Sequence, residues 1–149
     1  MIVAYIDGGA RGNPGPAGYG VRIEDDSGAV LEELRGFLGV ATNNAAEYQA
    51  LLAALKYAHD HGHRIARIRS DSELLVKQML GQYRVRHAGL QPLYQKARAL
   101  ADALDRVAFE HVPRDQNKHA DRLANAAMDE GTAQSTVDNR QSTVKSPSQ

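Results

Sequence analysis

The chain has 149 residues, of which 42% are hydrophobic and 24% charged, and it contains no cysteine. This is the composition of a single globular domain, and it excludes a disulfide framework and a thiolate metal site. The formal net charge is zero, with 18 basic and 18 acidic residues, whereas proteins that bind nucleic acids are usually basic. No apolar run approaches the roughly 20 residues of a membrane span, and the first residues lack the pattern of a signal peptide, so we expect no membrane partner and a cytoplasmic location.

The first third of the chain is expected to form three strands. Residues 2–7 are apolar on both faces, which is typical of a central strand. Residues 8–18 are rich in glycine and proline and predict turns. Two further strands, over residues 19–23 and 30–36, are joined by a turn and complete an antiparallel meander.

Apolar residues at helical spacing predict the elements that follow. Asn44 with Glu47, and later Ser70 with Glu73, have the spacing of a capping box at a helix start. We expect a long helix at the first pair, ending near residue 60, and a short helix at the second, with a strand over residues 64–70 between them. The remaining expected elements are a helix beginning at Pro92, a strand over residues 107–111 and a last helix capped by Asn117.

This element order predicts an α/β fold. Its five-stranded mixed sheet has three antiparallel strands followed by two parallel ones, with helices on both faces. From Gly131 onward the chain is mostly polar, and such a segment buries too little apolar surface to offset its ordering entropy. We therefore expect a catalytic domain over residues 1–129 and a disordered tail or linker over residues 130–149.

Four acidic residues are the candidates for chemistry. Asp7 and Asp71 end two strands that we expect to be neighbours, while Glu47 and Asp121 lie near helix starts. Each alone is explained by a turn, a cap or the helix dipole. Together they would meet at the carboxyl ends of the strands, where sites are usually built, and would repel one another unless cations lay between them. Oxygen ligands select Mg²⁺ or Mn²⁺, and two such ions suit in-line displacement at phosphorus.

Four segments of the chain, in this order, resemble the motifs of type 1 ribonuclease H. The resemblance covers about residues 1–129 and implies the ribonuclease H-like fold. It also implies an endonuclease that hydrolyses the RNA strand of RNA/DNA hybrids with two Mg²⁺ or Mn²⁺ ions per site. The family's metal-binding and catalytic carboxylates fall on Asp7, Glu47, Asp71 and Asp121. The matching segments are residues 7–16 with 18–20, residues 42–47, residues 70–72 and residues 111–124.

The resemblance further implies substrate contacts by Asn13, Thr42 and Asn44, which would read the 2′-hydroxyl that distinguishes RNA from DNA. Turn and cap duty is the alternative explanation for these residues. Many family members carry a histidine in a loop before the last aspartate, but here that loop is short and Arg114 is the candidate replacement. An arginine can bind a phosphate and cannot act as a base near neutral pH. An ordinary surface arginine is the alternative.

The chain contains no tryptophan, and it lacks the basic, tryptophan-rich protrusion with which some family members bind the hybrid. In this respect it resembles the archaeal-like branch of the family.

Other functions stay open at this point. A nuclease of the same fold could act on another nucleic acid, including double-stranded RNA, because fold alone does not settle the substrate. The chain could also be a catalytically weak module that binds hybrids or double-stranded RNA, although four intact carboxylates argue against this. A monomer is the default expectation, and a second domain could follow if residues 130–149 are a linker.

Overall fold

The computed structural model describes residues 1–144, with side chains as far as residue 133. Five strands and four α-helices make up this part of the chain, with a short 3₁₀ turn at Arg114–Gln116 before the last helix. The strands are β1 (Ile2–Ala10), β2 (Gly15–Asp25), β3 (Val30–Ala41), β4 (Ile65–Ser70) and β5 (Arg106–His111). The helices are α1 (Asn43–Asp60), α2 (Glu73–Met79), α3 (Gln91–Asp102) and α4 (Lys118–Val144).

The strands form one mixed sheet in the order β3-β2-β1-β4-β5. β1 pairs antiparallel with β2, and β2 pairs antiparallel with β3. β4 runs parallel to β1 on one side and to β5 on the other. This arrangement confirms the predicted fold class, with three antiparallel strands followed by two parallel ones.

Helices cover both faces of the sheet, and glycines mark where they approach. A Cβ atom on Gly8 would lie 2.3 Å from the backbone of Ala46 in α1. A Cβ atom on Gly20 would lie 2.4 Å from the backbone oxygen of Ala120 in α4. Gly20 pairs with Asp7, the residue before Gly8, and successive strand residues point to opposite faces. Therefore α1 and α4 lie on opposite faces, and Asp7 is on the α4 side.

The main core lies between the sheet and α1. Ile6 of β1 is 1% exposed, and Leu51 and Leu55 of α1 are fully buried. Burying a side chain of this kind contributes roughly 1.5–3 kcal/mol, which is enough for a few such contacts to hold α1 against the sheet. The apolar spacing that predicts α1 therefore also sets which side of the helix packs on β1, and so where its first turns lie.

The first two strands are longer than the sequence predicts. β1 continues through Gly8 and Gly9 to Ala10, and β2 begins at Gly15, so most of the residues expected to form turns are strand residues. Gly8 and Gly18 allow the close approach of α1 and α4, respectively, a constraint from distant parts of the chain. Asp7 consequently lies inside β1, at the point where pairing with β4 ends, rather than at the end of the strand.

Both predicted capping boxes are wrong. Thr42 caps α1, because its Oγ1 accepts a hydrogen bond from the backbone N–H of Ala45 at 3.1 Å. Ser72 caps α2 by accepting from the backbone N–H of Leu75 at 3.2 Å. A capping box requires the acidic side chain to bond to the backbone at the helix start. In the tertiary structure the carboxylate of Glu47 is instead part of a cleft at the carboxyl end of β4.

The last helix begins near Asn117, as expected, and its bounds extend to Val144. It therefore passes residue 129, where the composition places the end of the catalytic domain. A tail or linker role for residues 130–149 stays a prediction, and residues 145–149 lie outside the described part of the chain. Among the residues that the structure describes, no helix has both the length and the apolar character needed to cross a bilayer.

Candidate active site

Three carboxylates from three different elements meet at the carboxyl end of β4. Asp7 of β1, Glu47 of α1 and Asp71, which follows β4, each offer an oxygen, and these oxygens lie within 4.8 Å of one another. The parallel pairing of Ile6 with Ser70 places the two aspartates side by side. Because Gly8 has no side chain, the start of α1 packs directly on β1 and brings Glu47 to the same point.

Asp121 joins this group from α4, on the face of the sheet opposite α1. It lies in the first turn of α4, where its carboxylate can accept a hydrogen bond from Asp7 when Asp7 is protonated. Asp121 is exposed, whereas Asp7, Glu47 and Asp71 are partly buried. All four carboxylates line one polar cleft, so the structure brings the four predicted residues together, and their metal-binding and catalytic roles stay predictions.

Burial of these carboxylates together in one cleft raises the pKa of two of them, Asp7 and Glu47. Burial, followed by the charge of Asp71 and the hydrogen bond with Asp121, raises the pKa of Asp7 from 3.8 to about 8. Burial also raises the pKa of Glu47, to about 7, while a hydrogen bond from Ser72 and the charge of Arg114 oppose the rise. A cluster that favours protonation when it stands alone is suited to a divalent cation, which would neutralise the same charges. The all-oxygen donor set fits a hard cation.

Arg114 lies where the sequence predicts a contribution to the site. It is exposed in the 3₁₀ turn before α4, and its guanidinium lines the cleft near Glu47. His111 and His119 are exposed, and neither is among the described residues that line the cleft. Among these three residues, the positive group that lines the cleft is therefore Arg114.

The predicted substrate-binding residues Asn13, Thr42 and Asn44 form a polar edge around Asn43, which lines the cleft, although none of the three is itself among the described lining residues. The Oδ1 atom of Asn13 accepts a hydrogen bond from the backbone N–H of Asn43 at 3.1 Å. Thr42 caps α1, and Asn44 is exposed in its first turn. Sequence reasoning assigned no role to Asn43, yet its Oδ1 accepts from the N–H of Ala10 at 2.7 Å and it lines the cleft. Its position within the motif Thr42-Asn43-Asn44 was the available signal.

Asn117 does not cap α4 with its side chain as the sequence predicts, because its buried Oδ1 has no hydrogen-bond partner among the described residues. It is 1% exposed, and its Nδ2 donates to the backbone oxygen of Ile6 at 2.8 Å and to Oδ2 of Asp71 at 3.4 Å. These bonds connect the start of α4 to β1 and to a cleft carboxylate. An asparagine before a helix is an ordinary cap in sequence terms, so no local pattern indicated this role.

Comparisons with known proteins agree with the fold and show the family of the chain. A family model described as reverse transcriptase-like matches residues 5–127. A protein of Mycobacterium tuberculosis described as bifunctional is 46% identical over 92% of this chain, which spans 38% of the length of that relative. The crystal structure of RNase H1 from Halobacterium salinarum has a TM-score of 0.84 at 42% identity, covering 87% of this chain and 98% of that one.

A second similar structure is LC11-RNase H1, solved in complex with an RNA/DNA hybrid. Its TM-score is 0.84 at 41% identity, and the match covers 89% of this chain and 99% of that one. The similarity to both RNase H1 structures extends over nearly their whole length. This chain belongs to the type 1 ribonuclease H family.

Proposed function

We propose that this protein is a metal-dependent endonuclease that hydrolyses the RNA strand of RNA/DNA hybrids. The observation that carries the proposal is the convergence of Asp7, Glu47 and Asp71 within 4.8 Å, with Asp121 lining the same cleft. The hybrid bound to the similar LC11-RNase H1 supports the substrate class. Because the chain spans 38% of its mycobacterial relative, the proposal concerns the activity of this domain.

The four carboxylates would hold Mg²⁺ or Mn²⁺, two ions per site. Two such ions supply activation of water and stabilisation of the leaving oxygen in an in-line displacement. The protein's part is to hold the carboxylates in place against their mutual repulsion. The sheet holds the two strand aspartates, and the two helices bring the other two carboxylates from opposite faces.

Arg114 would bind a phosphate of the substrate. It is the arginine at the Glu47 side of the cleft, and a guanidinium suits a phosphate oxygen pair. Since an arginine stays protonated near neutral pH, it would steady charge without accepting a proton.

The polar edge beside the cleft would recognise the RNA strand. The Oδ1 atoms of Asn13 and Asn43 already accept backbone N–H groups, which leaves their NH₂ groups as donors. The Thr42 hydroxyl accepts from Ala45 and keeps its own O–H to donate. Together with the exposed amide of Asn44, this edge would donate to 2′-hydroxyl and phosphate oxygens, which is how such a protein would distinguish RNA from DNA.

The same edge makes double-stranded RNA a second candidate substrate, since it too carries a 2′-hydroxyl on the strand to be cut. We also propose that residues 1–129 are the catalytic unit, supported by the family match over residues 5–127, and that residues 130–149 are a tail or linker. A monomeric state and a cytoplasmic location, which suits a chain without cysteine, complete the proposal.

The test uses end-labelled RNA/DNA hybrid, double-stranded RNA and double-stranded DNA, each with Mg²⁺, Mn²⁺ or chelator. We expect metal-dependent cuts in the RNA of the hybrid, and their loss in Asp71→Asn, which removes one charge and nearly keeps the shape. Asp60→Asn, at an exposed aspartate of α1, is the control and should cut normally. Folded wild-type protein that cleaves none of the substrates in either metal would overturn the proposal.

A further inference from the structure

An arginine in the turn between β1 and β2 reaches across to α4 at the edge of the cleft. Nη1 of Arg11 lies 2.7 Å from Oδ1 of Asp129. Nη2 donates to Oδ1 of Asn125 at 3.3 Å and to its backbone oxygen at 3.5 Å. Arg11 and Asn125 both line the cleft that holds the four carboxylates. The turn and the last helix are therefore connected beside the site.

Asn125 in turn contacts a cleft carboxylate. Its Nδ2 donates to the backbone oxygen of Asp121 at 3.0 Å and to Oδ1 of the same residue at 3.4 Å. An arginine can only donate hydrogen bonds, so the amide atom that faces Arg11 must be the oxygen. Arg11 therefore determines the orientation of the Asn125 amide and keeps its NH₂ group directed at Asp121.

Asp121 is the carboxylate that most needs such support. It is exposed, whereas the other three are partly buried, and packing therefore restricts its side chain least. Its neighbours are acidic: Asp7 lies beside it in the cleft, and Asp71 and Glu47 are close to Asp7. Without a donor on the α4 side, repulsion would favour rotamers of Asp121 that turn away from the cleft.

We propose that Arg11 and Asn125 are positioning residues that hold the Asp121 carboxylate in place to bind a divalent cation. The inference rests on the proposed function, because it assigns Asp121 to the metal site. Groups that hydrogen-bond to metal ligands orient them, and their loss typically costs about 10- to 100-fold in metal affinity or activity. The contact between Nδ2 and Oδ1 is 3.4 Å long, so we expect the lower end of that range.

A second arginine, Arg35, also bonds to α4 but does not contact Asn125, so it serves as a comparison for Arg11. Arg35 of β3 bonds to both carboxylate oxygens of Glu130 on α4, at 3.1 and 2.6 Å. Its side chain is 44% exposed, the same fraction as that of Arg11. Both arginines therefore connect the sheet to the same stretch of α4, yet only Arg11 reaches an asparagine that contacts Asp121. Exposed ion pairs contribute little to stability, so Arg35→Ala is a matched control for Arg11→Ala.

The experiment measures Mn²⁺ binding by electron paramagnetic resonance, together with the Mg²⁺ dependence of hybrid cleavage. Of the two proposed Mn²⁺ ions, we expect Asn125→Ala to weaken the binding of the less tightly bound one about tenfold. Arg11→Ala should weaken the same binding by a smaller factor. Arg35→Ala should bind as the wild type does. Arg11→Ala should add nothing in the Asn125→Ala background, because Arg11 acts through Asn125.

Wild-type Mn²⁺ affinity in both Arg11→Ala and Asn125→Ala, or an equal loss in Arg35→Ala, would overturn the inference. Circular dichroism and thermal unfolding establish that each variant is folded before it is compared. The two proposals fail in different ways. If the wild type binds Mn²⁺ and the variants bind it less tightly, but no hybrid is cut, the positioning role stands and the proposed function falls. If the wild type binds no Mn²⁺, both fall.

Discussion

In the absence of metal, the aspartate at the centre of the cleft should destabilise the protein as the pH rises. The pKa of Asp7 in the folded protein is raised from 3.8 to about 8, mainly by burial and then by the charge of Asp71. Between about pH 4 and pH 8 the folded state therefore holds a proton that the unfolded chain has lost. Stability consequently falls with rising pH across this window. Asp7→Asn removes the titrating group, and its amide can donate to the neighbouring carboxylates.

The size of the effect follows from the shift. One pKa unit corresponds to about 1.4 kcal/mol, so a rise from 3.8 to about 8 sets an upper limit of about 6 kcal/mol. Asp7 is only partly buried and lines an open cleft, where water and counter-ions screen much of the repulsion. We therefore expect Asp7→Asn to gain about 2 kcal/mol at pH 8 without metal, or roughly 6 °C in Tm for a chain of 149 residues.

Thermal unfolding followed by circular dichroism, at pH 5 and pH 8, with chelator and with Mg²⁺, measures this. The stability difference should be small at pH 5 and favour Asp7→Asn at pH 8 in chelator. Excess Mg²⁺ should reverse the order, because only the wild type keeps the full ligand set and gains stability by binding. Asp60→Asn is the control, since Lys56 lowers the pKa of that exposed carboxyl and the variant should show no gain. An Asp7→Asn variant that is no more stable than the wild type at pH 8 in chelator would refute the reasoning.

Three other changes probe the packing, the charge and the substrate interface of the site. A Cβ atom on Gly8 would lie 2.3 Å from the Ala46 backbone, so Gly8→Ala should cost about 3 kcal/mol in urea denaturation and lose most cleavage. A Cβ atom on Gly9 would have no contact closer than 3.8 Å, so Gly9→Ala should keep its stability and its cleavage activity. An equal loss in the two variants would contradict the packing argument. Arg114→Ala should lower kcat/KM on hybrid roughly tenfold and Arg114→Lys less, because lysine keeps the charge but not the planar fork; an unchanged kcat/KM would remove the arginine from the site. Hybrid binding, measured by fluorescence anisotropy in chelator, should weaken about tenfold or more between about 50 and 200 mM salt, and a salt-independent Kd would exclude a phosphate interface.

The number and type of elements were predictable because they depend on local patterns. The doubly apolar run at residues 2–7 predicts a central strand, and β1 is indeed flanked on both sides in the sheet. The apolar spacing of α1 likewise predicts a helix packed on that sheet. The mixed sheet with helices on both faces follows from the order of these elements.

Element boundaries were less predictable where distant parts of the chain decide them. The glycine-rich segment after Asp7 has the local signature of a turn, yet most of it continues β1 and β2. Helices α1 and α4 pack directly against the backbones of Gly8 and Gly18 in these strands. The caps differ for a similar reason. Spacing alone pairs Asn44 with Glu47, but in the folded protein Glu47 belongs to the cleft and Thr42 caps the helix.

The sequence by itself determined the element order and the four carboxylates, because each of these depends on residue types and spacing within a short segment. Only the tertiary structure decided how those carboxylates are held. Asn117 bonds to Ile6, 111 positions earlier, and Arg11 bonds to Asn125, 114 positions later. Such contacts depend on which faces of the sheet α1 and α4 occupy, and on the lack of side chains at Gly8 and Gly20. They are set by packing between distant segments, which no local pattern encodes.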